Sequence, residues 1–172
     1  EKSMRNVVII GGGAAGMVAA SGAAGAGHQV RIYEKNEKLG KKIYITGKGR
    51  CNVTNGCDVE DFFGHVVTNG KFLYSAVYGF TNQDVMDLLE ECGCPLKIER
   101  GERVFPVSDK SSDVISALAG KLRKERVSVY LNEPVKEILT EDGRAVGILL
   151  EKSGRRVPAD AVIVTTGGLS YP

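Results

Sequence analysis

A glycine turn placed directly after a short apolar strand limits this chain more than any other feature. Asn6 to Ile10 reads NVVII, and Gly11-Gly12-Gly13-Ala14-Ala15-Gly16 follows without a spacer. An unbroken apolar run of this length fits a strand buried on both faces of a parallel sheet. Ala14 to Ala26 is alanine-rich, which favours a helix lying close against that sheet. Gly27-His28 ends it, and Gln29 to Tyr33 (QVRIY) is a second strand. Together they form a βαβ unit of about thirty residues, the setting in which G-x-G-x-x-G signals dinucleotide binding. Gly11 then permits the tight turn, Gly13 lets backbone approach a pyrophosphate, and Gly16 lets the helix pack on the strand. The N–H groups at the helix head, those of Ala14 and Ala15 included, offer an anion the positive end of the helix dipole.

Glu34 supplies the other half of the pattern. It ends the second strand, 23 residues past Gly11, close to the offset of about 20 at which a carboxylate meets an adenosine ribose. Such a carboxylate can accept both ribose hydroxyls and would repel a 2′-phosphate, which disfavours NADP. FAD and NAD share the ADP half, so these residues do not separate the two.

The later chain alternates again. Glu34 to Gly56 reads as turn and loop. Lys71 to Phe80 and Gln83 to Cys92 read as helices, with Thr81 or Asn82 as the cap of the second. Leu96 to Glu99 and Glu102 to Phe105 are short strands around an Arg100-Gly101 turn. Ser111 to Arg126 carries Val114, Ile115, Leu118, Ala119 and Leu122 at helical spacing, with basic residues near its C-terminal end. Val127 to Leu131 is a strand that completes a second crossover. Val135 to Leu139, Ala145 to Glu151 and Arg155 to Pro158 form a meander with turns at Asp142-Gly143 and Ser153-Gly154. Ala161 to Thr165 (AVIVT) returns to a buried strand, followed by Thr166-Gly167-Gly168.

Composition excludes several classes. A net charge of +2 over 172 residues gives no electrostatic case for nucleic acid or a membrane surface. No run of 18 apolar residues is present, so no transmembrane helix is expected. Lys41, Lys42, Lys48 and Arg50 form a local basic cluster that suits either solvent or an anionic ligand. Cys51, Cys57, Cys92 and Cys94 match neither a zinc ribbon nor a redox CxxC, and no metal site is expected. Reduced thiols and a cytoplasmic location follow as the default. Cys51 reads as a small buried filler. His28, in a helix-to-strand turn, reads as a cap or surface residue, and His65 as a loop residue. No His/Asp/Ser constellation points to hydrolysis. Glu1-Lys2-Ser3 ahead of Met4 reads as a tag remnant.

The string VVIIGGGAAGMVAASGAAGAGHQVRIYEKNEKLGKKIYITGKGRCNVTN resembles the flavoproteins related to aminoacetone oxidase and the bile-acid-dehydroxylation reductase. The glycine turn, Glu34-Lys35, Gly40-Lys41-Lys42 and the run Thr46 to Asn52 carry the likeness. Arg103-Val104-Phe105-Pro106 and Thr165 to Pro172 extend it along nearly the whole chain, and GKGRCN is its most specific part. The resemblance implies an α/β fold: a Rossmann-like FAD-binding domain with a parallel sheet plus a β meander and a helical insertion at about 56–110. It implies FAD as cofactor. Gly11, Gly13, Ala14, Ala15 and Gly16 would hold the pyrophosphate, Glu34 the ribose, and Lys35 would lie beside the adenine, as would Val135 through its main chain. Gly47, Lys48, Gly49, Arg50, Cys51 and Asn52 would approach the ribityl chain and isoalloxazine edge, with Lys48 or Arg50 stabilising negative charge on the reduced ring. Lys41 and Lys42 belong to the same basic stretch. Thr166, Gly167 and Gly168 would pass close to the cofactor at the strand end.

The family continues past this point with a substrate domain, so residues 1–172 are expected to be the N-terminal part of an FAD domain, truncated before that domain. The expected function is hydride transfer between flavin and a small organic substrate or NAD(P)H, without a nucleic-acid or membrane partner. Two alternatives are a non-catalytic dinucleotide-binding module and a flavin-dependent tRNA-modifying protein. Catalytic residues, substrate and oligomeric state are left open.

Overall fold

The apolar run at the N-terminus does become a strand, β1 (Asn6–Ile10), with Val7, Val8 and Ile9 buried. The computed structural model describes residues 3–169. The tag reading of Glu1-Lys2 and the family segment Ser170-Tyr171-Pro172 therefore lie outside the described residues. After β1 the chain forms α1 (Ala14–Gly25), β2 (Gln29–Tyr33) and a short α2 (Lys41–Ile45). A 3-10 turn over Thr46–Gly49 leads to β3 (Thr54–Asn55), α3 (Val59–Gly64), a second 3-10 turn at Gly70–Leu73, α4 (Tyr74–Gly79) and α5 (Asn82–Glu91). Then come β4 (Leu96–Glu99), β5 (Arg103–Pro106), α6 (Ser111–Lys124) and β6 (Ser128–Tyr130). The chain ends in β7 (Val135–Glu141), β8 (Arg144–Leu150), β9 (Arg156–Pro158) and β10 (Ala161–Val164).

These elements fall into two compact units, Glu1–Ile43 with Leu118–Pro172, and Tyr44–Ala117. The first unit holds a four-stranded parallel sheet in the order β10-β1-β2-β6. Side chains alternate across a strand, so β1 serves two layers. On one face Val8 joins Tyr33, Ile148, Leu150, Val157 and Ala159, with Ile10, Val135 and Val162 packed around them. Those partners come largely from the antiparallel sheet β7-β8-β9, which covers that face. Gly147 lets β8 and β9 approach, because a Cβ there would overlap the Val157 carbonyl. α1 packs on β1, β2 and β10. Its Gly16, Met17, Ala20 and Ser21 are buried, and small side chains keep the helix axis near the sheet. The Rossmann-like α/β class, the parallel sheet and the meander are all present as the sequence led us to expect.

The second unit is built around the antiparallel sheet β3-β5-β4. The stretch between β2 and β4 departs from the sequence expectation in four places. Glu34 to Gly56 is not simply loop, since α2 and a 3-10 turn lie within it. α2 is too short to show a helical period; one buried residue, Ile43, anchors it. Lys71 to Phe80 is not one helix. Asn69 sits at φ 55°, so the chain enters a 3-10 turn before α4 begins. α3 and β3 were not anticipated, being too short to carry a pattern. α5 starts one residue earlier than expected, because Thr81 and Asp84 form a reciprocal capping box.

Candidate functional site

The first turn shows how glycine shapes the head of α1. Gly11 takes φ 105°, a region open to glycine and costly for side chains. Its N–H donates to the Tyr33 carbonyl at 2.9 Å, fastening the turn to β2. A Cβ on Gly16 would overlap the Gly11 carbonyl oxygen, so Gly16 lets the helix rest on the turn as expected. Gly13 differs. It is the N-cap of α1, with ordinary extended backbone and no side-chain cap, and a Cβ built on it meets nothing within 4 Å. Ala14 and Ala15 are exposed, and the first turn of α1 contains no acidic residue. Met17 N–H to the Gly13 carbonyl, at 3.0 Å, is the first helical bond. The N–H groups ahead of it have no intrahelical partner. A helix head that is uncapped, open and free of negative charge suits an anion.

Beneath it lies Glu34, 7% exposed. Its Oε2 accepts the Gly12 N–H at 2.6 Å, while Oε1 accepts the backbone N–H of Asn36 at 2.7 Å and its side-chain amide at 2.8 Å. A carboxylate offers about four acceptor positions, so as it stands roughly one remains. Protein donors thus already take up most of the acceptor capacity that the sequence reading assigned to two ribose hydroxyls. Glu133 donates its N–H to the Glu34 carbonyl at 2.9 Å, and its buried Oε2 has no hydrogen-bond partner among the described residues. Sequence reading missed this residue, whose backbone is bonded to Glu34.

Three more supports were missed. Gly12, the unassigned residue of the motif, supplies the N–H that orients Glu34, and a Cβ there would lie 2.5 Å from Leu39 Cδ2. Gly40 donates to the Gly12 carbonyl at 2.8 Å. Thr165 closes the turn from β10, its hydroxyl donating to the Ile10 and Gly11 carbonyls at 2.9 and 3.0 Å. Its place directly after AVIV was the available signal. The neighbouring Thr166, Gly167 and Gly168 are exposed, with Gly167 at φ 80°. Lys35 is exposed, and Val135 is half-buried against the core of its unit. Lys41 bonds Glu37 and Asn36, both at 3.3 Å, so it is engaged locally; Lys42 is exposed.

The GKGRCN segment belongs to the second unit. Gly47, Lys48 and Gly49 all take positive φ (55°, 56° and 86°), as does Cys51 at 62°. Lys48 is exposed. Arg50 is half-buried and already paired with carboxylates. Its guanidinium bonds Glu99 at 2.5 Å and Asp109 at 2.6 and 2.8 Å, and lies 4.1 Å from the centre of the Phe105 ring. Lys97 completes the group, 2.8 Å from Asp109 and 3.4 Å from Glu99. The Arg50 bond holds Glu99 below the usual carboxylate range, and the Lys97 bond, then Arg50, does so for Asp109. The expectation that Lys48 or Arg50 stabilises negative charge on the reduced ring therefore meets an Arg50 already engaged by two carboxylates. Cys51 is buried, which pushes its thiol up despite a hydrogen bond with Thr46, so it is a filler as expected. Asn52 directs its amide N–H groups to the Thr54 and Val104 carbonyls at 3.0 and 3.3 Å.

The histidines stay peripheral. His28 accepts the Arg5 N–H at 3.3 Å, and His65 is exposed at the end of α3. Among the described residues no group of three or more His, Cys, Asp and Glu could hold a metal, and no helix is long and apolar enough to cross a membrane.

Residues 5–172 match the family model of the HI0933-like protein Rossmann domain. The chain is 35% identical over 168 residues to a 3-dehydro-bile acid delta(4,6)-reductase of Clostridium scindens, covering 96% of this chain and 39% of that protein. It is 31% identical over 167 residues to a ribosomal RNA dihydrouridine synthase of Escherichia coli, covering 97% of this chain and 40% of that protein. The chain therefore spans about two fifths of the length of these relatives. A 3-ketosteroid-delta4-(5alpha)-dehydrogenase from Rhodococcus jostii RHA1 superposes with a TM-score of 0.69 at 19% identity, over 99% of this chain and 47% of that one.

Proposed function

The chain belongs to the HI0933-like Rossmann domain family, and from that premise we propose that it is the FAD-binding portion of a flavin-dependent oxidoreductase. The observation that carries this reading is the open head of α1 above Glu34: uncapped N–H groups, clear space at Gly13, and a buried carboxylate that accepts three protein hydrogen bonds out of about four acceptor positions. These features suit the diphosphate and adenosine ribose of FAD. Bound FAD would supply hydride acceptance and return.

The chain's own residues bind and orient. Gly13, Ala14, Ala15 and Gly16 present main-chain N–H groups to the diphosphate. Gly12 and Asn36 hold the Glu34 carboxyl group aimed, so it meets the ribose without reorganising. Thr165 and Gly40 fix the turn, so that charge on the phosphates is met by dipoles already in place. Lys35 and the Val135 main chain are assigned to the adenine, and Thr166, Gly167 and Gly168 to the strand-end approach. Gly47, Lys48, Gly49 and the backbone of Cys51 and Asn52 are assigned to the flavin side, on the likeness of GKGRCN to aminoacetone-oxidase-related flavoproteins.

For the whole protein we propose reduction of a ring carbon–carbon double bond in a small organic substrate. A delta(4,6)-reductase and a dihydrouridine synthase both add hydrogen to such a bond, and these are the two relatives above 30% identity described above. NAD(P)H is the proposed electron source. An RNA substrate is the second reading; the Escherichia coli relative favours it, and the near-neutral charge of this chain does not.

The test is titration of this chain with FAD and with ADP, read by absorbance and flavin fluorescence. Both should bind. Gly13→Val, whose side chain enters empty space in the apo fold, should weaken both at least about tenfold, or about 1.4 kcal/mol. It should not alter thermal unfolding of the apo chain. Absence of FAD binding by the parent chain, or full binding by Gly13→Val, overturns the reading.

A further inference from the structure

The GKGRCN segment combines an unusual backbone with an unusual use of its arginine. Four residues between Gly47 and Cys51 lie in the left-handed region, two of them not glycine. Each non-glycine residue there costs about 1 kcal/mol or more, and it persists only where its surroundings fix it. The Arg50 N–H donates to the Gly47 carbonyl at 3.1 Å and the Cys51 N–H to the Thr46 carbonyl at 3.1 Å. These two bonds close the loop on itself but do not tie it to anything else. The ties come from side chains. Cys51 is buried, Asn52 reaches the β3 and β5 backbone, and Arg50 crosses to Glu99 at the end of β4 and to Asp109 beyond β5.

We propose that Arg50 is a positioning residue, which clamps the loop 47–51, left-handed at every residue but Arg50 itself, onto the Glu99/Asp109 carboxylate pair so that the loop backbone and Lys48 hold a fixed presentation toward the cofactor. The assignment rests, for its consequence, on the FAD-binding reading; the clamp itself does not. Three features support it over a direct contact. The guanidinium is already matched by two carboxylates. Its face is covered by Phe105. Both carboxylates are shared with Lys97, which leaves the group without surplus positive charge to aim at a ligand. The planar fork suits this bridging where a lysine would not.

The experiment uses this chain with three changes: Arg50→Met, Arg50→Lys, and the pair Glu99→Gln with Asp109→Asn. The first readout needs no cofactor. In Arg50→Met the Arg50-position and Cys51 amides should exchange hydrogen at least about tenfold faster, which corresponds to about 1.4 kcal/mol of lost local protection. β1 and β2 amides should stay protected, showing that the first unit is folded. The carboxylate pair change should reproduce this loss, although Arg50 is still present, and Arg50→Lys should restore only part of it. The second readout is the FAD dissociation constant. It should rise by a similar factor in Arg50→Met and in the carboxylate pair change, with no further rise when the two are combined. Unchanged exchange in Arg50→Met overturns the clamp. Weaker FAD binding in Arg50→Met together with unchanged or tighter binding in the carboxylate pair change overturns it too, in favour of direct contact. Should the parent chain bind no FAD, the FAD reading fails while the exchange comparison still decides the clamp.

Discussion

Two loops in this molecule hold unusual backbone, and they do so by different means. The turn after β1 relies on glycine and on main-chain bonds: Gly11 at φ 105°, fastened to Tyr33, overlain by Gly16, and closed by the Thr165 hydroxyl. The loop at 46–52 also has glycines, but Lys48 and Cys51 share the left-handed conformation without that excuse. It is held by side chains reaching to Glu99, Asp109, Val104 and Thr54. A turn held by glycine is intolerant of added atoms. A loop held by charges is sensitive to charge balance and acid instead. The contrast separates two roles that a single motif list would merge, close approach in one place and clamping in the other.

The largest break in this contrast is Gly16→Val. Its Cβ meets backbone that cannot move aside, so a loss of about 3 kcal/mol or more is expected, the upper range for overpacking. Urea unfolding of the first unit, followed by circular dichroism, measures it; a loss below about 1 kcal/mol would remove the close-approach argument. Gly13→Val is the sharper companion. It is the N-cap of the same helix, yet should leave unfolding unchanged within about 0.5 kcal/mol while reducing FAD affinity. Thr165→Val should cost about 1–2 kcal/mol, because it removes a donor shared by two carbonyls and keeps the shape.

The smallest expected effect belongs to the charged loop. Glu99 and Asp109 are both held below their usual values, by Arg50 first in one case and Lys97 first in the other. Depressed carboxylates stabilise the fold above their unfolded pKa, about 4, and that contribution is lost as pH falls through the lower folded values. The backbone amide shifts of Arg50 and Cys51 should therefore stay constant from neutral pH down to about 5 and move only below about 4, with β1 amides lagging behind. Movement centred near pH 6 would point to a different titrating group.

Much of the first unit was readable because its determinants are local. NVVII, the glycine turn and the offset of Glu34 each act within a few residues or through one βαβ crossover. Thr165 was harder to read, since its partner carbonyls are 154 and 155 positions away. The second unit was read less well. α3, β3 and the 3-10 turns are too short to repeat a pattern more than once or twice. Arg50 was read as a cation near a ligand because nothing in GKGRCN names Glu99 or Asp109.

Reading the residues in order was enough for the βαβ start, the parallel sheet with its meander, and the glycine turn at the head of α1. Glycine placement and apolar periodicity are short-range instructions that survive without knowledge of the fold. The packing of distant elements set how much of Glu34 is taken up by protein donors, left Glu133 with an acceptor unmet among the described residues, and turned Arg50 toward carboxylates of its own unit. Those outcomes depend on which donors and charges distant strands bring within about 3 Å, the reach of a hydrogen bond, and no spacing along the chain encodes that distance.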